Sequence, residues 1–302
     1  MDAIMRAVKA IHSVAVNGSS VAPEDLERQR MGQDLFSKLV TPGIGVHAKS
    51  VIIESDDYEI PAEWVIPDFC HEKKHLIMYC HGGGYTCGSL KYARVLASKL
   101  SLHTGMEVLS FEYRLAPENM YPAALNDARS VWDYIMKKGY GARDVILAGD
   151  SAGGNLALEL CLTLKKEKRF LPKALILMSP WTDMTMTSET YVTCKDIDPM
   201  LTREYINAVR GAYAGHDADF SSTRYSPLFA EFTGFPPTLI QVGENEILLG
   251  DSEKLAEKMR MYGTYVTFEK YEECWHVFQQ MPIRRAYRAL ENIGRFMQHI
   301  LQ

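Results

Sequence analysis

The stretch Asp144-Val145-Ile146-Leu147-Ala148-Gly149-Asp150-Ser151-Ala152-Gly153-Gly154-Asn155-Leu156-Ala157 decides how this chain is read. Residues 144–148 form a short apolar run suited to a strand buried on both faces. Beyond Asn155, Ala157, Leu160, Cys161 and Leu164 recur at helical spacing, so residues 152–168 read as a helix. A serine at the point where a strand turns sharply into a helix is held in strained backbone and tolerates only small neighbours. Gly149 and Gly153 stand two residues away on either side of Ser151. Its hydroxyl would project above the sheet at a helix N-terminus, whose field favours developing negative charge. The same letters also arise where a serine merely caps a helix after a tight turn. The strand before and the helix behind strengthen the reading of Ser151 as a nucleophile.

Outward from this turn, β-branched or apolar runs alternate with helical patterns, the signature of a mostly parallel sheet covered by helices on both faces. Strands are expected over residues 75–80, 107–111, 144–148, 174–179, 238–242 and 266–271, with helices near 90–102, 122–138, 152–168, 251–262 and 281–300. Ahead of them, residues 45–54 and 58–66 flank the turn-forming pair Asp56-Asp57. That link is too short for a parallel crossover, so a hairpin is expected and the sheet has eight strands in all. Residues 44–302 are therefore read as one α/β body.

Two regions break the alternation, residues 1–43 and an insertion at about 183–223. In the first, Ile4, Val8, Ile11 and Ala15 recur at helical spacing. After Pro23, Leu26, Met31, Leu35 and Leu39 supply a second apolar face. In the other, Ile206, Val209, Ala212 and Tyr213 do the same. Without strands of their own, both must bury these faces elsewhere, and they are read as a helical cap over the catalytic edge of the sheet.

The balance of 47% hydrophobic and 24% charged residues is that of an ordinary folded protein. A net charge of -5 with scattered Lys and Arg offers no basic stripe for nucleic acid or anionic membrane. Cys70, Cys80, Cys87, Cys161, Cys194 and Cys274 lack the close spacing of zinc ribbons or redox pairs and read as idle thiols in a reducing compartment. Arg6 and Lys9 interrupt residues 1–17, which fit an amphipathic helix better than a signal peptide. No run approaches the roughly 18 apolar residues of a membrane span. A soluble cytoplasmic protein is expected.

Acyl transfer also requires donors aimed where a carbonyl oxygen becomes anionic. His81-Gly82-Gly83-Gly84-Tyr85 follows the strand at 75–80, and consecutive glycines allow close approach of backbone N–H groups. A phosphate-cradling loop is the competing reading, but no Lys-Ser/Thr pair follows. Together, the HGGG and GDSAGG segments resemble the hormone-sensitive lipase family of α/β-hydrolases, the bacterial type IV esterases. The resemblance extends through Tyr113-Arg114-Leu115-Ala116-Pro117-Glu118, Ser226-Pro227-Leu228 and His276, nearly the whole chain. It implies the α/β-hydrolase fold, a cap built from the N-terminal helices and an insertion, and oxyanion N–H groups from Gly83, Gly84 and Ala152. It also implies that His81, Asp150, Arg114 and Glu118 brace loops, and that a homodimer through the last strand is possible.

The base must be a histidine, the side chain with a suitable pKa and two distinct ring nitrogens. Of nine, His12, His47, His71, His75, His81 and His103 precede the elbow, whereas this fold orders serine, acid, histidine. His216 falls in the cap and His299 near the chain end, leaving His276, beyond the last expected strand. For the acid, the family usually has Asp; here Glu246 occupies the matching place, and the fold accepts either acid. Asp251 is the rival, although it opens the next helical pattern, and Glu244 is a third candidate.

The expected activity is hydrolysis of short-chain carboxylic esters through an acyl-enzyme, with a small-molecule ester as partner and neither metal nor organic cofactor. Tyr85, Met200, Leu201, Val277 and Phe278 are candidate apolar linings. Amide or formamide hydrolysis by the same residues is the nearer alternative. Plant gibberellin receptors, which resemble the family but lack the catalytic histidine, suggest a non-catalytic ligand receptor as another, against which His276 argues.

Overall fold

The computed structural model describes residues 20–40, 44–55, 58–69 and 72–302. Its elements are α1 (Pro23–Leu39), β1 (Val46–Glu54), β2 (Glu59–Pro67), β3 (Glu72–Cys80), α2 (Leu90–Thr104), β4 (Met106–Phe111), α3 (Ala123–Lys137), β5 (Val145–Asp150) and α4 (Ala152–Lys166). There follow β6 (Ala174–Met178), the single turn α5 (Thr190–Thr193), α6 (Arg203–Ala214), β7 (Thr238–Gly243), α7 (Leu249–Met261), β8 (Val266–Tyr271) and α8 (Arg284–Leu301). Eight strands form one sheet in the order β1-β2-β4-β3-β5-β6-β7-β8. β2 runs antiparallel to β1 and β4, and every other pairing is parallel. The expected hairpin is the β1–β2 pair; its turn, Asp56-Asp57, and the helical pattern of residues 1–17 lie outside the described residues.

The central strands are buried throughout, since every residue of β5, β6 and β7 is shielded from solvent. Their alternation feeds two cores. Val145 and Leu147 face α3 and α4 through Val131, Trp132, Leu156 and Leu160. Ile146 and Ala148 face α2 and α8 through Leu96, Leu100, Leu290 and Ile293. Sheet and helices thus clamp each other from both sides, and the carboxyl ends of β3, β5, β7 and β8 become rigid platforms for the loops beyond them.

Element ends differ from the sequence reading by a few residues. β3 starts at Glu72 instead of 75, across a register shift between Glu72 and Leu76. α8 starts at Arg284 instead of 281, because Pro282 disfavours helical backbone at Met281, which is extended at φ -84° and ψ 149°.

The face expected of α1 is corrected. Met31 and Leu35 are 66% and 61% exposed, whereas Leu26, Gln29 and Ser37 are buried. Helical geometry rotates successive residues by about 100°, so a stripe through Leu26, Gln29 and Gln33 excludes Met31 and Leu35. In α6, Ile206, Val209, Ala212 and Tyr213 are buried as the spacing predicts. Among the described residues, no helix is long and apolar enough to cross a membrane.

Candidate active site

Ser151 follows β5 directly, at φ 53° and ψ -122°, backbone that few side chains adopt. Its amide donates to Met178 O (3.0 Å) and its carbonyl accepts from Trp181 N (3.0 Å), which tie the turn to the neighbouring strand. A Cβ on Gly149 would stand 2.2 Å from Gly153 O, so the strand and the first helical turn meet too closely for any larger residue. The tight strand-to-helix turn expected at GDSAGG is present.

The glycine loop is held against this turn by Asp150. Its carboxylate accepts from Gly82 N (2.8 Å), Tyr79 OH (2.5 Å) and Tyr92 OH (3.1 Å). Gly83 lies at φ +117°, where a Cβ would meet Cys87 O at 2.3 Å. The N–H groups of Gly83 and Gly84 donate to no other group among the described residues. Ala152, as the first residue of α4, has no intrahelical acceptor for its own. His81 is buried, stacked on Tyr113 at 4.2 Å, and bonded through Nδ1 to Gly82 O. Burial depresses its pKa to about 4, which keeps it neutral. Arg114 is paired with Asp127 and Glu118 with Arg30 of α1. His81 and Asp150 thus bond to the glycine loop, whereas Arg114 and Glu118 tie the loop they stand in to helices α3 and α1.

His276 lies beyond β8, with Nε2 2.9 Å from Ser151 Oγ and Nδ1 2.6 Å from Glu246 Oε2. Glu246, three residues past β7, accepts through Oε1 from Gly243 N (2.6 Å) and Ser179 Oγ (2.9 Å). Ser179 also accepts from Val277 N at 3.1 Å, so one hydroxyl joins the acid loop to the histidine loop. Asp198, in the insertion, accepts from Ile247 N, Met200 N and Leu201 N. Burial, only partly opposed by His276 and these N–H donors, raises its pKa to about 6. Burial works against protonation of His276 itself, but the hydrogen bond and charge of Glu246, with Asp198 and Asp150, prevail and raise its pKa above the ordinary 6.5.

The other two acid candidates point elsewhere. Asp251, in the first turn of α7, accepts from Asp183 N (3.2 Å), Ser188 Oγ (2.9 Å) and Tyr191 OH (3.2 Å) at the root of the insertion. Glu244 is half-buried and receives a long 3.4 Å bond from Glu273 N.

Above Ser151 and His276 is a cavity of about 100 Å³ lined by Met200, Leu201 and Val277 as expected, together with Trp181, Trp275, Ile206, Tyr205 and Met281. Gln29, Gly32 and Gln33 of α1 complete it, with Gln280 beyond the histidine. Tyr85 and Phe278, also expected there, are core residues. Tyr85 donates to Asn155 Oδ1 (2.7 Å) and stacks on Tyr213 at 3.7 Å. Phe278 packs on Tyr271 at 4.9 Å. A residue adjacent to a site residue in sequence often points the opposite way, which spacing alone does not reveal. Ser179, Asp198 and the glutamines were not singled out from the sequence. Asp198 carries the one faint signal among them, since it stands directly before Pro199 and an Asp-Pro pair favours the start of a turn.

Residues 77–280 match the family model of the alpha/beta hydrolase fold. An esterase of Acinetobacter venetianus is 40% identical over 223 residues, 73% of this chain and 74% of that protein. An acetyl-hydrolase of Streptomyces hygroscopicus is 35% identical over 239 residues, 78% and 79% of the two chains. The crystal structure of an esterase from the bacterial hormone-sensitive lipase family superposes with a TM-score of 0.91 at 27% identity, covering 100% of this chain and 99% of that one. With its strand order, glycine loop and strand-to-helix serine turn, the chain belongs to the hormone-sensitive lipase family of esterases on the α/β-hydrolase fold.

Proposed function

We propose that the chain hydrolyses short-chain carboxylic esters through a covalent acyl-enzyme, with Ser151 as nucleophile, His276 as general base and acid, and Glu246 as the group that orients the imidazole. The observation that carries this reading is the hydrogen-bond chain from Ser151 Oγ through His276 to Glu246, at 2.9 and 2.6 Å, opening into the cavity. Ser151 Oγ bonds to the ester carbonyl carbon as its proton passes to His276 Nε2. The carbonyl oxygen becomes anionic and accepts from the N–H groups of Gly83, Gly84 and Ala152. The bond to the alkoxy oxygen then breaks, and His276 returns the proton to the departing alcohol. Water repeats the sequence on the acyl group and frees Ser151.

The N-terminal residues to 43 and the insertion at about 183–223 act as the cap. Gln29, Gly32 and Gln33 from the first and Met200, Leu201, Tyr205 and Ile206 from the second face the cavity, which supports this. Its volume of about 100 Å³ is small beside the roughly 300 to 1,000 Å³ of drug-sized ligand sites, which favours short acyl groups. Ser151→Ala should abolish turnover of 4-nitrophenyl butyrate; retained activity overturns the nucleophile. Rates from acetyl to dodecanoyl esters should peak at the short end, and a maximum at the long end overturns the chain-length reading.

A further inference from the structure

We propose that Asp198 is a positioning residue of the reaction, pinning the cavity wall at Met200 and Leu201 to the loop that carries Glu246 and setting a second negative charge behind the imidazolium that forms on His276. Resting on the ester-hydrolase reading, this role adds a residue of the insertion to the same site.

Asp198 is 4% exposed. Its Oδ1 accepts from Met200 N (2.8 Å) and Leu201 N (3.0 Å), the bonds of any aspartate that opens a turn. The third bond has no such local reason. Oδ2 accepts at 2.9 Å from Ile247 N, 49 residues away and directly after Glu246. Thr190 Oγ1, also in the insertion, donates to Ile247 O at 2.7 Å and accepts from Gly250 N at 3.0 Å. The insertion therefore holds both backbone polar groups of the residue next to Glu246, while its own Met200 and Leu201 line the cavity.

The chemistry calls for a carboxylate. Three N–H donors from two segments converge on two oxygens, and only the ionised acid meets them without presenting a hydrogen of its own; an asparagine turns its amide NH₂ against one of them. Burial disfavours the charged form of both Asp198 and His276, and each charge offsets part of that penalty for the other. Around the pair stand Glu246 beyond β7, Asp150 at the end of β5, and Cys194 at the end of α5, whose thiol is held by burial above its ordinary 9.0 and so stays neutral.

Asp198→Asn keeps the size of the side chain and removes the charge. It should lower kcat/KM for 4-nitrophenyl butyrate at about pH 8 by about tenfold or more. The acid midpoint for labelling of Ser151 by a fluorophosphonate, which needs neutral His276, should move to lower pH, because a charge favouring the imidazolium is gone. With the wall released, the ratio of kcat/KM for 4-nitrophenyl hexanoate over 4-nitrophenyl acetate should rise by about threefold or more. Thr190→Val loosens the same loop without changing charge, and should lower thermal stability while leaving the midpoint in place. An unmoved midpoint or an unchanged chain-length ratio in Asp198→Asn overturns the inference alone, as does an equal shift of the midpoint in Thr190→Val. Should Asp198→Asn not fold, Asp198→Ser is read by the same two measurements, and failure of both to fold makes Asp198 a support of the whole fold and overturns its part in the reaction. No ester turnover together with no labelling of Ser151 in the wild type overturns the hydrolase reading and this inference with it.

Discussion

Glu246 and Asp251 are carboxylates five residues apart in one segment, and both are wholly buried. They differ in what surrounds them. Glu246 faces an imidazole on one oxygen and an N–H and a hydroxyl on the other. Asp251 faces hydroxyls, one amide and a second carboxylate, Asp183. Burial and then the Asp183 charge push its pKa to about 8. A carboxylate set beside a base can hold a cation that forms during a reaction, whereas one set beside another carboxylate is driven to keep its proton. Burial alone therefore says little about which acid serves the chemistry.

The sharpest way to break the comparison is to remove each carboxylate in turn. Glu246→Ala should lower kcat by on the order of 10³ to 10⁴, the scale seen when the acid of a serine triad is lost. Asp251→Ala should lower kcat by less than about tenfold while reducing thermal stability, since a buried hydrogen-bonded anchor is lost. Steady-state kinetics with a thermal melt on both variants checks this, and the reverse ranking transfers the role to Asp251.

The pH profile sharpens it next. In the proposed mechanism only neutral His276 accepts the proton of Ser151, and its pKa lies above the ordinary 6.5. Activity should therefore fall on the acid side with a midpoint above that value. In Glu246→Gln the two leading causes that raise the pKa weaken, while burial continues to lower it, so the midpoint should move to lower pH. Asp251→Asn should leave the midpoint where it is. An unshifted acid limb in Glu246→Gln breaks the assignment.

Asp251 should declare itself in stability instead. Its ordinary value is 3.8 and its folded value about 8, so between these the folded state holds a proton that the unfolded chain has released. Stability contributed by this group thus declines as pH rises from about 4 to about 8 and is level beyond. Asp251→Asn, which cannot ionise, should show a shallower fall in melting temperature over that window. Parallel curves for variant and wild type would remove the raised pKa as the cause.

The same contrast separates what the sequence could reveal from what it could not. GDSAGG, HGGG and His276 were legible because each imposes a local demand: a turn without room for a side chain, consecutive glycines, a histidine beyond the last strand. Strand alternation revealed the sheet because burial on both faces forces apolar runs. Glu246 and Asp251 could not be separated with certainty, since their difference lies in Ser179, Asp183 and His276, all distant in sequence. α1 was misread for a related reason. Its apolar residues suggested an inward stripe through Met31 and Leu35, but the helix turns Gln29 and Gln33 inward, a choice made by Arg30 bonding to Thr86 O, Ala116 O and Glu118 across the fold.

The smallest expected effect belongs to the third acid. Glu244 lies two residues before Glu246, yet its backbone N–H donates to Tyr271 O (3.0 Å) and, among the described residues, its half-exposed side chain holds only one long bond from Glu273 N. No bond links it to His276. Glu244→Gln keeps the acceptor and removes the charge, so kcat should change by less than about twofold and stability by about 0.5 kcal/mol or less, as for ordinary partly exposed positions. The acid limb of the pH profile should stay in place, because the charges acting on His276 are those of Glu246, Asp198 and Asp150. A loss of kcat on the scale expected for Glu246→Ala would mean that the loop after β7 rearranges when substrate binds and brings a different carboxylate to the imidazole.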